Sequence, residues 1–246
     1  MTRGLVLALQ FLTRLPVPSL HDVAPGELSR SAAWFPLVGL IVGGASAALL
    51  VAGGRLDPWL GALLATLGWV WVTGALHLDG LADLADALGA AHRDRTRFLQ
   101  VLRDPHVGTF GVIALVAAIG SRFVLLALLL QHSPTSWRAL PLIAAWARLG
   151  AIAWSAWLPA LAPGSAERFA WHISRTTIVI WAIALAGVSV LVAPHLLLAP
   201  LAIVGWGGYL KRRVGGVTGD CLGAGVEIIE LVLLLAAVFR AFATSA

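Results

Sequence analysis

The sequence predicts an all-α fold, a helical bundle embedded in a membrane, and three observations support this class. The 246 residues are 59% hydrophobic and only 12% charged, whereas soluble domains have about 45–50% apolar and about 25% charged residues. The mean hydropathy is +0.90. Uncharged runs of about 20 residues, the length that crosses a bilayer as a helix, recur along the chain. We therefore expect one polytopic membrane domain over residues 1–246.

About seven transmembrane helices are expected from these runs. The N-terminal segment MTRGLVLALQFLTRLPVP precedes them. Its short apolar run is followed by prolines rather than by a small-residue cleavage site, which favours a retained interfacial helix over a signal peptide. The long run 176–210 contains Pro194 near its middle and is interpreted as two helices. The predicted spans are 30–55, 57–77, 110–130, 139–158, 176–193, 195–210 and 226–242.

The basic residues predict the orientation of these spans. With seven crossings, 3 of the 17 lysines and arginines lie on one side, 12 on the other, and Arg122 and Arg148 within spans. The positive-inside rule places the richer side and the N-terminus in the cytoplasm. The net charge of +5 thus mostly reflects the basic residues that set the membrane topology, and no nucleic-acid partner is expected. Cys221 is the single cysteine, which excludes a disulfide framework.

The acidic residues form two clusters on the predicted cytoplasmic side. In HLDGLADLADAL, Asp79, Asp83 and Asp86 stand at i, i+4 and i+7, within about 60° of arc on a helix. Like charges at this spacing destabilise an isolated helix, and a divalent cation or basic partners would relieve the repulsion. The alternative is a solvated helix face, although such faces usually mix both signs of charge.

The second cluster lies in GGVTGDCLGAGVEIIE before and within the last predicted span. It contains Asp220, Glu227 and Glu230, the glutamates in the first turns of that span. The helix dipole alone would explain acids at a helix start. It does not explain the glycines, which suit a flexible or closely packed segment whose backbone N–H groups hold a phosphate. Hard oxygen ligands without a cysteine cluster favour Mg²⁺.

An arginine-rich loop separates the two clusters. Arg93, Arg95, Arg97 and Arg103 lie near Asp104 and a Gly-Thr-x-Gly turn. Each arginine alone fits the positive-inside rule, whereas the group fits an anion site, because guanidinium groups match phosphate oxygens. Arg148 is about ten residues into a span, and a charge at such a position is treated as functional by default. His77, two residues before Asp79, is a candidate substrate contact or weak base.

At these residues the chain resembles the adenosylcobinamide-GDP ribazoletransferase family, also called cobalamin synthase. Five motifs carry the resemblance in order along nearly the whole chain. They are FLTRLPVP (11–18), FPLVGL (35–40), GALHLDGLADLADAL (74–88), RDPHVGTFGVIAL (103–115) and GGVTGDCLGAGVEIIELV (215–232). Three positions depart from the usual family pattern: Ala87 for glycine, Pro105 for serine and Cys221 for threonine. The serine and threonine changes remove two potential phosphate contacts, but no acidic motif residue is lost.

The resemblance implies an Mg²⁺-dependent transferase of the cell inner membrane. Such an enzyme joins adenosylcobinamide-GDP to α-ribazole or its 5′-phosphate and releases GMP. It further implies an active site on cytoplasmic loops and helix ends, about 77–109 and 211–230. The expected catalytic residues are Asp79, Asp83 and Asp86, with Asp83 the most plausible base. The expected metal ligands are Asp79, Asp83, Asp86, Asp220 and Glu227, and the expected substrate contacts are His77, Arg93, Arg103, Asp104, Arg148, Thr218 and Gly219.

Two other functions stay open at this point. A CDP-alcohol phosphotransferase also has an Asp-Gly and a multi-aspartate helix, but Asp83 stands where that pattern has arginine, and the spacing here is compressed. A membrane transporter would suit the intramembrane arginines, although its acids should lie near the midplane. Assembly into homo-oligomers, or with other enzymes of nucleotide-loop synthesis, is also open.

Overall fold

The computed structural model describes residues 3–91, 94–161 and 173–245, and this part of the chain is helical. Its only β pairing within those ranges is an isolated bridge between Ala160 and Val217. Short 3-10 turns occupy 32–34, 136–138 and 194–198. The α-helices are α1 (Arg3–Leu12), α2 (Pro25–Ser31), α3 (Phe35–Gly54), α4 (Pro58–Thr73), α5 (Leu76–Ala91), α6 (Arg95–Val101), α7 (Thr109–His132), α8 (Ala139–Trp157), α9 (Arg175–Val192), α10 (Ala199–Arg213) and α11 (Gly219–Ser245).

The helical membrane bundle is confirmed, but the structure has fewer spans than the seven predicted. Among the described residues, five helices are long and apolar enough to cross a membrane, or six if the bent pair α4 and α5 forms one span. α10 has 15 residues and α4 has 16, so each is shorter than the roughly 20 residues that a span requires. α4 ends at Thr73 and is capped by Gly74, before the predicted boundary at residue 77. α10 begins only at Ala199, after the 3-10 turn 194–198, although it continues beyond the predicted end to Arg213.

Helix α8 lies at the centre of the bundle. The span that contains it is 89% buried, whereas α9 leaves most of its apolar side chains exposed. Gly39 and Gly43, one turn apart on α3, face α8 so closely that a Cβ on Gly39 would lie 2.5 Å from the carbonyl oxygen of Ala144. Small residues at such a crossing allow two membrane helices to pack backbone to backbone.

A sharp corner separates α4 from α5. Gly74 and Ala75 both have φ of +59°, and the two helices meet at 86°. Glycine adopts this left-handed conformation readily, whereas alanine is strained there. The extended chain after α1 packs on this corner, where the Arg14 amide donates to the Val72 carbonyl at 2.7 Å. The corner therefore turns the aspartate-bearing helix away from the axis of α4.

Helices α5 and α11 pack against each other at glycines. A Cβ on Gly80 would lie 2.9 Å from the Cα and carbonyl oxygen of Asp220, and one on Gly223 would lie 3.3 Å from the Cα of His77. α11 begins at Gly219 rather than near Val226, so the glycine-rich segment is helical from residue 219 onward. The predicted start of the last span was therefore too late.

Candidate functional site

The two acidic clusters meet at one cavity. Asp79 on α5 and Asp220 on α11 line a cavity of about 130 Å³ together with Gly219 and Gly80. The close glycine contact between α5 and α11 brings the two carboxylates to the same opening. Asp79 is exposed and Asp220 is half-buried, so both remain accessible to a ligand that enters from the polar end of the bundle.

Asp83 adds a third carboxylate one turn along α5. It is half-buried and lies within electrostatic range of Asp79, Asp220 and Asp86. Repulsion among these groups favours a bound cation. Within the described ranges, no three acidic, histidine or cysteine side chains form a ready-made metal cluster. Mg²⁺ does not require one, because it is usually held by one or two carboxylates, water and substrate phosphates.

Asp86 has a structural role that the sequence did not reveal. One of its carboxylate oxygens accepts a hydrogen bond from the Gly108 amide at 2.7 Å, and the other accepts from the Gly111 amide at 2.9 Å. The side chain thus caps the start of α7. A Cβ on Gly108 would lie 2.5 Å from this carboxylate, which explains the glycine in the Gly-Thr-x-Gly turn.

Glu227 and Glu230 belong to a buried ion-pair network. Arg122 on α7 donates to Glu227 at 2.8 Å and to Glu230 at 2.7 Å, and Arg148 on α8 donates to Glu230 at 2.7 Å. All four side chains are at most 3% exposed. Arg122 also lies over the Trp69 ring at 4.6 Å from its centroid. The structure therefore places Glu227 with arginines inside the bundle and not with the aspartates, because α11 starts two turns before it.

Arg148 and His77 form the polar floor of the same cavity. Both line it, and they are 1% and 4% exposed. Arg148 uses one terminal nitrogen for Glu230 and the Ala144 carbonyl. Its Nε and Nη2, and the Nδ1 of His77, have no hydrogen-bond partner among the described atoms. Buried donors are normally paired, so these groups are available to a ligand.

The remaining predicted contacts lie next to a cavity residue in the sequence, on an exposed loop, or outside the described residues. Thr218, directly before α11, accepts a hydrogen bond from the Cys221 amide at 3.3 Å and lies 3.3 Å from an Asp220 oxygen. Arg103 and Asp104 are exposed on the loop between α6 and α7. Hydrogen bonds from His106 hold the pKa of Asp104 below its ordinary value. Arg93 lies outside the residues that the structure describes.

Two features of the site were missed by the sequence analysis. Phe11 and Phe35 line the cavity beside the aspartates; their motifs had been noted, but apolar residues carry no chemical signal. Arg212 and Arg213, interpreted as topology signals, line a second cavity of about 440 Å³ together with Asp94 and Arg95. Only the charge density at the end of α10 hinted at this basic cavity.

The fold and the site define a class: a multi-pass helical membrane protein with a carboxylate-lined cavity at one end of its bundle. The family is shown by comparison with known proteins. The model of the cobalamin-5-phosphate synthase family matches residues 4–238, and the chain belongs to that family.

Curated relatives align along almost their entire length. A protein of Thiobacillus denitrificans named adenosylcobinamide-GDP ribazoletransferase is 53% identical over 98% of this chain and 97% of its own. A protein of the same name from Novosphingobium aromaticivorans is 49% identical over 95% of each chain. No solved structure matches the chain significantly.

Proposed function

We propose that the protein is an adenosylcobinamide-GDP ribazoletransferase that acts at the cytoplasmic face of the cell inner membrane. One observation carries the proposal beyond family membership. The two separate acidic motifs, represented by Asp79 and Asp220, line one cavity. A transferase that handles a pyrophosphate and a ribose hydroxyl requires such a convergence of carboxylates near its reacting atoms.

The reaction is a phosphoryl-group transfer and involves no oxidation or reduction. The ribose hydroxyl oxygen of α-ribazole, or of its 5′-phosphate, attacks the phosphorus that bears the cobinamide. A new P–O bond forms to the ribose, and the P–O bond to the GMP phosphate breaks. GMP leaves with the electron pair, and the hydroxyl proton passes to a carboxylate of the protein.

Asp83 is the proposed base for that proton. Its carboxylate is half-buried on α5 and lies within electrostatic range of the carboxylates of Asp79, Asp86 and Asp220. Negative neighbours favour proton uptake by a carboxylate. Asp86 is less suited to the role, because both of its oxygens already accept backbone hydrogen bonds.

Asp79 and Asp220 are the proposed holders of Mg²⁺, and Asp83 beside them keeps its carboxylate free to act as the base. Their carboxylates offer the hard oxygen donors that Mg²⁺ prefers, and their mutual repulsion is relieved by a cation. When bound, the ion would neutralise charge on the pyrophosphate. Glu227 is not proposed as a ligand, because Arg122 holds its carboxylate inside the bundle.

Arginines of the cytoplasmic loops are the proposed contacts of the nucleotide. Arg103 follows α6 and Arg93 precedes its residues in the sequence, and the basic cavity lined by Arg95, Arg212 and Arg213 adds further donors. Guanidinium groups bind phosphate oxygens with charge-assisted hydrogen bonds. These positions would stabilise the departing GMP.

Release of GMP tests this function. Purified protein in detergent should release GMP from adenosylcobinamide-GDP only when α-ribazole, or its phosphate, and Mg²⁺ are both present. Asp83→Asn should lower kcat by about 100-fold or more, since a positioned base contributes 10² to 10⁴ in rate.

The matched control for this variant is Asp57→Asn. Asp57 caps α4 at the end opposite to α5, and asparagine is an equally good cap. Full turnover by Asp83→Asn with unchanged Mg²⁺ dependence would show that Asp83 is not the base. No GMP release by the wild-type protein would overturn the proposed function.

A further inference from the structure

We propose that the cavity between α1, α3, α5, α8 and α11 binds the benzimidazole base of the ribazole acceptor, with the base buried and its ribose directed to the aspartates. This inference rests on the proposed function and assigns a subsite within it. The acceptor has two chemically different ends, an aromatic bicycle and a sugar. The cavity has two correspondingly different regions.

Apolar side chains form the walls of the cavity. Phe11 and Leu12 come from α1, Phe35 from α3, and Ala151 from α8. The rings of Phe11 and Phe35 are stacked at 5.9 Å between centroids and 5° between planes. Apolar and aromatic walls with a few convergent polar groups are typical of sites for small organic molecules. These walls suit a flat aromatic base better than a sugar or a phosphate.

The polar floor has buried hydrogen-bonding groups without partners. Arginine stays protonated in proteins, so Nε and Nη2 of Arg148 are hydrogen-bond donors. Neither has a partner within the described part of the chain, and the same holds for Nδ1 of His77. Leaving such groups unpaired in a buried position is unfavourable. A ligand that fills the cavity should therefore bring at least one acceptor to its floor.

The charges around the cavity favour a neutral group inside it over an anionic one. Two arginines and two glutamates share the buried network, so the formal charge of Arg148 is already balanced. Asp79 and Asp220 add negative charge to the same cavity, and like charges placed close together repel. A phosphate would have to pass these carboxylates. An N-ribosylated benzimidazole is neutral and has one ring nitrogen with a free lone pair, which matches the donors of the floor.

This orientation also connects binding with the proposed reaction. With the base against Arg148 and His77, the attached ribose lies toward the opening, where Asp79 and Asp220 stand. The reacting hydroxyl would then meet the carboxylates, while the large cobinamide and the nucleotide remain outside the narrow cavity. The α1 segment and the Phe35 motif thus acquire a role in acceptor selection.

Equilibrium binding with two ligands tests the floor of the cavity. The probes are α-ribazole and its indole analogue, in which the lone-pair nitrogen is replaced by C–H. Wild-type protein in detergent should bind the analogue about fivefold to tenfold more weakly, the effect of one hydrogen bond. His77→Phe, which removes one unpartnered nitrogen of the floor and keeps a ring, should reduce this discrimination if that nitrogen donates to the ligand; unchanged discrimination leaves the Arg148 donors as its source. Equal binding of both ligands by the wild type would overturn the role of the floor.

A space-filling pair of variants tests the walls. Ala151→Phe fills the cavity from α8 and should raise the KM for α-ribazole about tenfold or more, with little change in the KM for adenosylcobinamide-GDP. Ala117→Phe is the matched control, because Ala117 is exposed on the apolar face of α7. Thermal unfolding of both variants verifies that each is folded. If Ala151→Phe does not fold, the smaller change Ala151→Leu takes its place.

The outcomes separate this inference from the proposed function. If the wild-type protein releases GMP and a folded Ala151 variant leaves the KM for α-ribazole unchanged, the subsite assignment is wrong while the function stands. If the wild type releases no GMP, the proposed function fails, and direct binding of α-ribazole still reports whether the cavity accepts the base. A rise in the KM for adenosylcobinamide-GDP alone would assign the cavity to the other substrate and overturn the inference.

Discussion

Asp83 and Asp86 lie one turn apart on α5, yet their surroundings give them different roles. Asp86 is buried against the start of α7 and accepts two backbone hydrogen bonds. Asp83 faces other carboxylates. The sequence could group the two residues by spacing, but it could not separate them, because the separation depends on where the loop after α6 returns to α5.

Replacing Asp86 should reduce stability. Asp86→Ala removes the cap of α7 and should lower the free energy of unfolding by about 1 kcal/mol, the usual value of a helix cap. Chemical denaturation in detergent, followed by circular dichroism, measures this difference. Asp83→Ala is the control and should cause no loss, since it removes a repelled charge. An equal loss in both variants would contradict the capping role.

Replacing Glu230 should destabilise the protein more strongly. Glu230→Gln leaves Arg122 and Arg148 with a single buried carboxylate between them, and breaking a buried ion pair costs about 3–5 kcal/mol. A large fall in melting temperature is therefore expected. The control is Glu27→Gln, which removes the exposed ion pair with Arg3 and should change the melting temperature little. Similar melting temperatures for Glu230→Gln and the wild type would show that the network is not structural.

At the scale of elements, the crossing of α5 and α11 positions the site. Gly80→Ala would place a Cβ 2.9 Å from the Asp220 backbone, so the two helices must separate. Because the reacting groups lie on both helices, we expect turnover to fall about 100-fold, as misplacement by about 1 Å can cause. Initial rates of GMP release measure the effect.

Gly44→Ala is the matched control for this helix crossing. Gly44 lies within α3, and no described atom lies within 4 Å of an added Cβ. The same substitution there should leave turnover unchanged and favour the helix slightly. Wild-type turnover by Gly80→Ala would mean that the spacing of α5 and α11 does not control the site.

The corner between α4 and α5 is a feature that the sequence did not predict, although it predicted both helices. Hydropathy located α4, and the aspartate periodicity indicated a helix that carries Asp79, Asp83 and Asp86. The 86° angle between them depends on two successive left-handed residues, one of which is Ala75. Alanine rarely adopts this conformation, so the sequence contained no sign of it. The extended chain after α1 packs on the corner and accounts for the conformation of Ala75, but this contact is visible only in the structure.

At the scale of the whole molecule, composition was enough to predict the fold class. Five of the site residues predicted from the sequence line the cavity, namely His77, Asp79, Arg148, Gly219 and Asp220. The low content of charged residues identified a membrane protein, and it also made the acidic clusters easy to recognise. The partners of buried charges were not predictable. Arg122 and Glu227 are more than 100 residues apart in the chain, and only the packing of α7 on α11 brings them within 2.8 Å. Glu227 was expected to be a metal ligand because the sequence does not show that Arg122 is its partner.

The orientation of the bundle in the membrane yields the last prediction. Leu56 follows α3 and is 82% exposed, whereas His106 precedes α7 and is exposed near the aspartate-bearing end. α7 has 24 residues, about 36 Å of helix, which exceeds the thickness of a bilayer core of about 30 Å. Gly54, at the end of α3, lies against Leu130 near the far end of α7, so Leu56 and His106 should lie on opposite sides. By the positive-inside rule, His106 should face the cytoplasm.

Cysteine labelling checks this topology because Cys221, the single native cysteine, is buried and should not react in the wild-type protein. A membrane-impermeant maleimide should label Leu56→Cys in intact cells, and should label His106→Cys only in inverted vesicles. Labelling of both from one side would contradict the helix arrangement. The reverse pattern would place the carboxylates outside the cell, where they could not receive a cytoplasmic nucleotide-activated substrate, so this experiment tests the orientation on which the proposed enzyme depends.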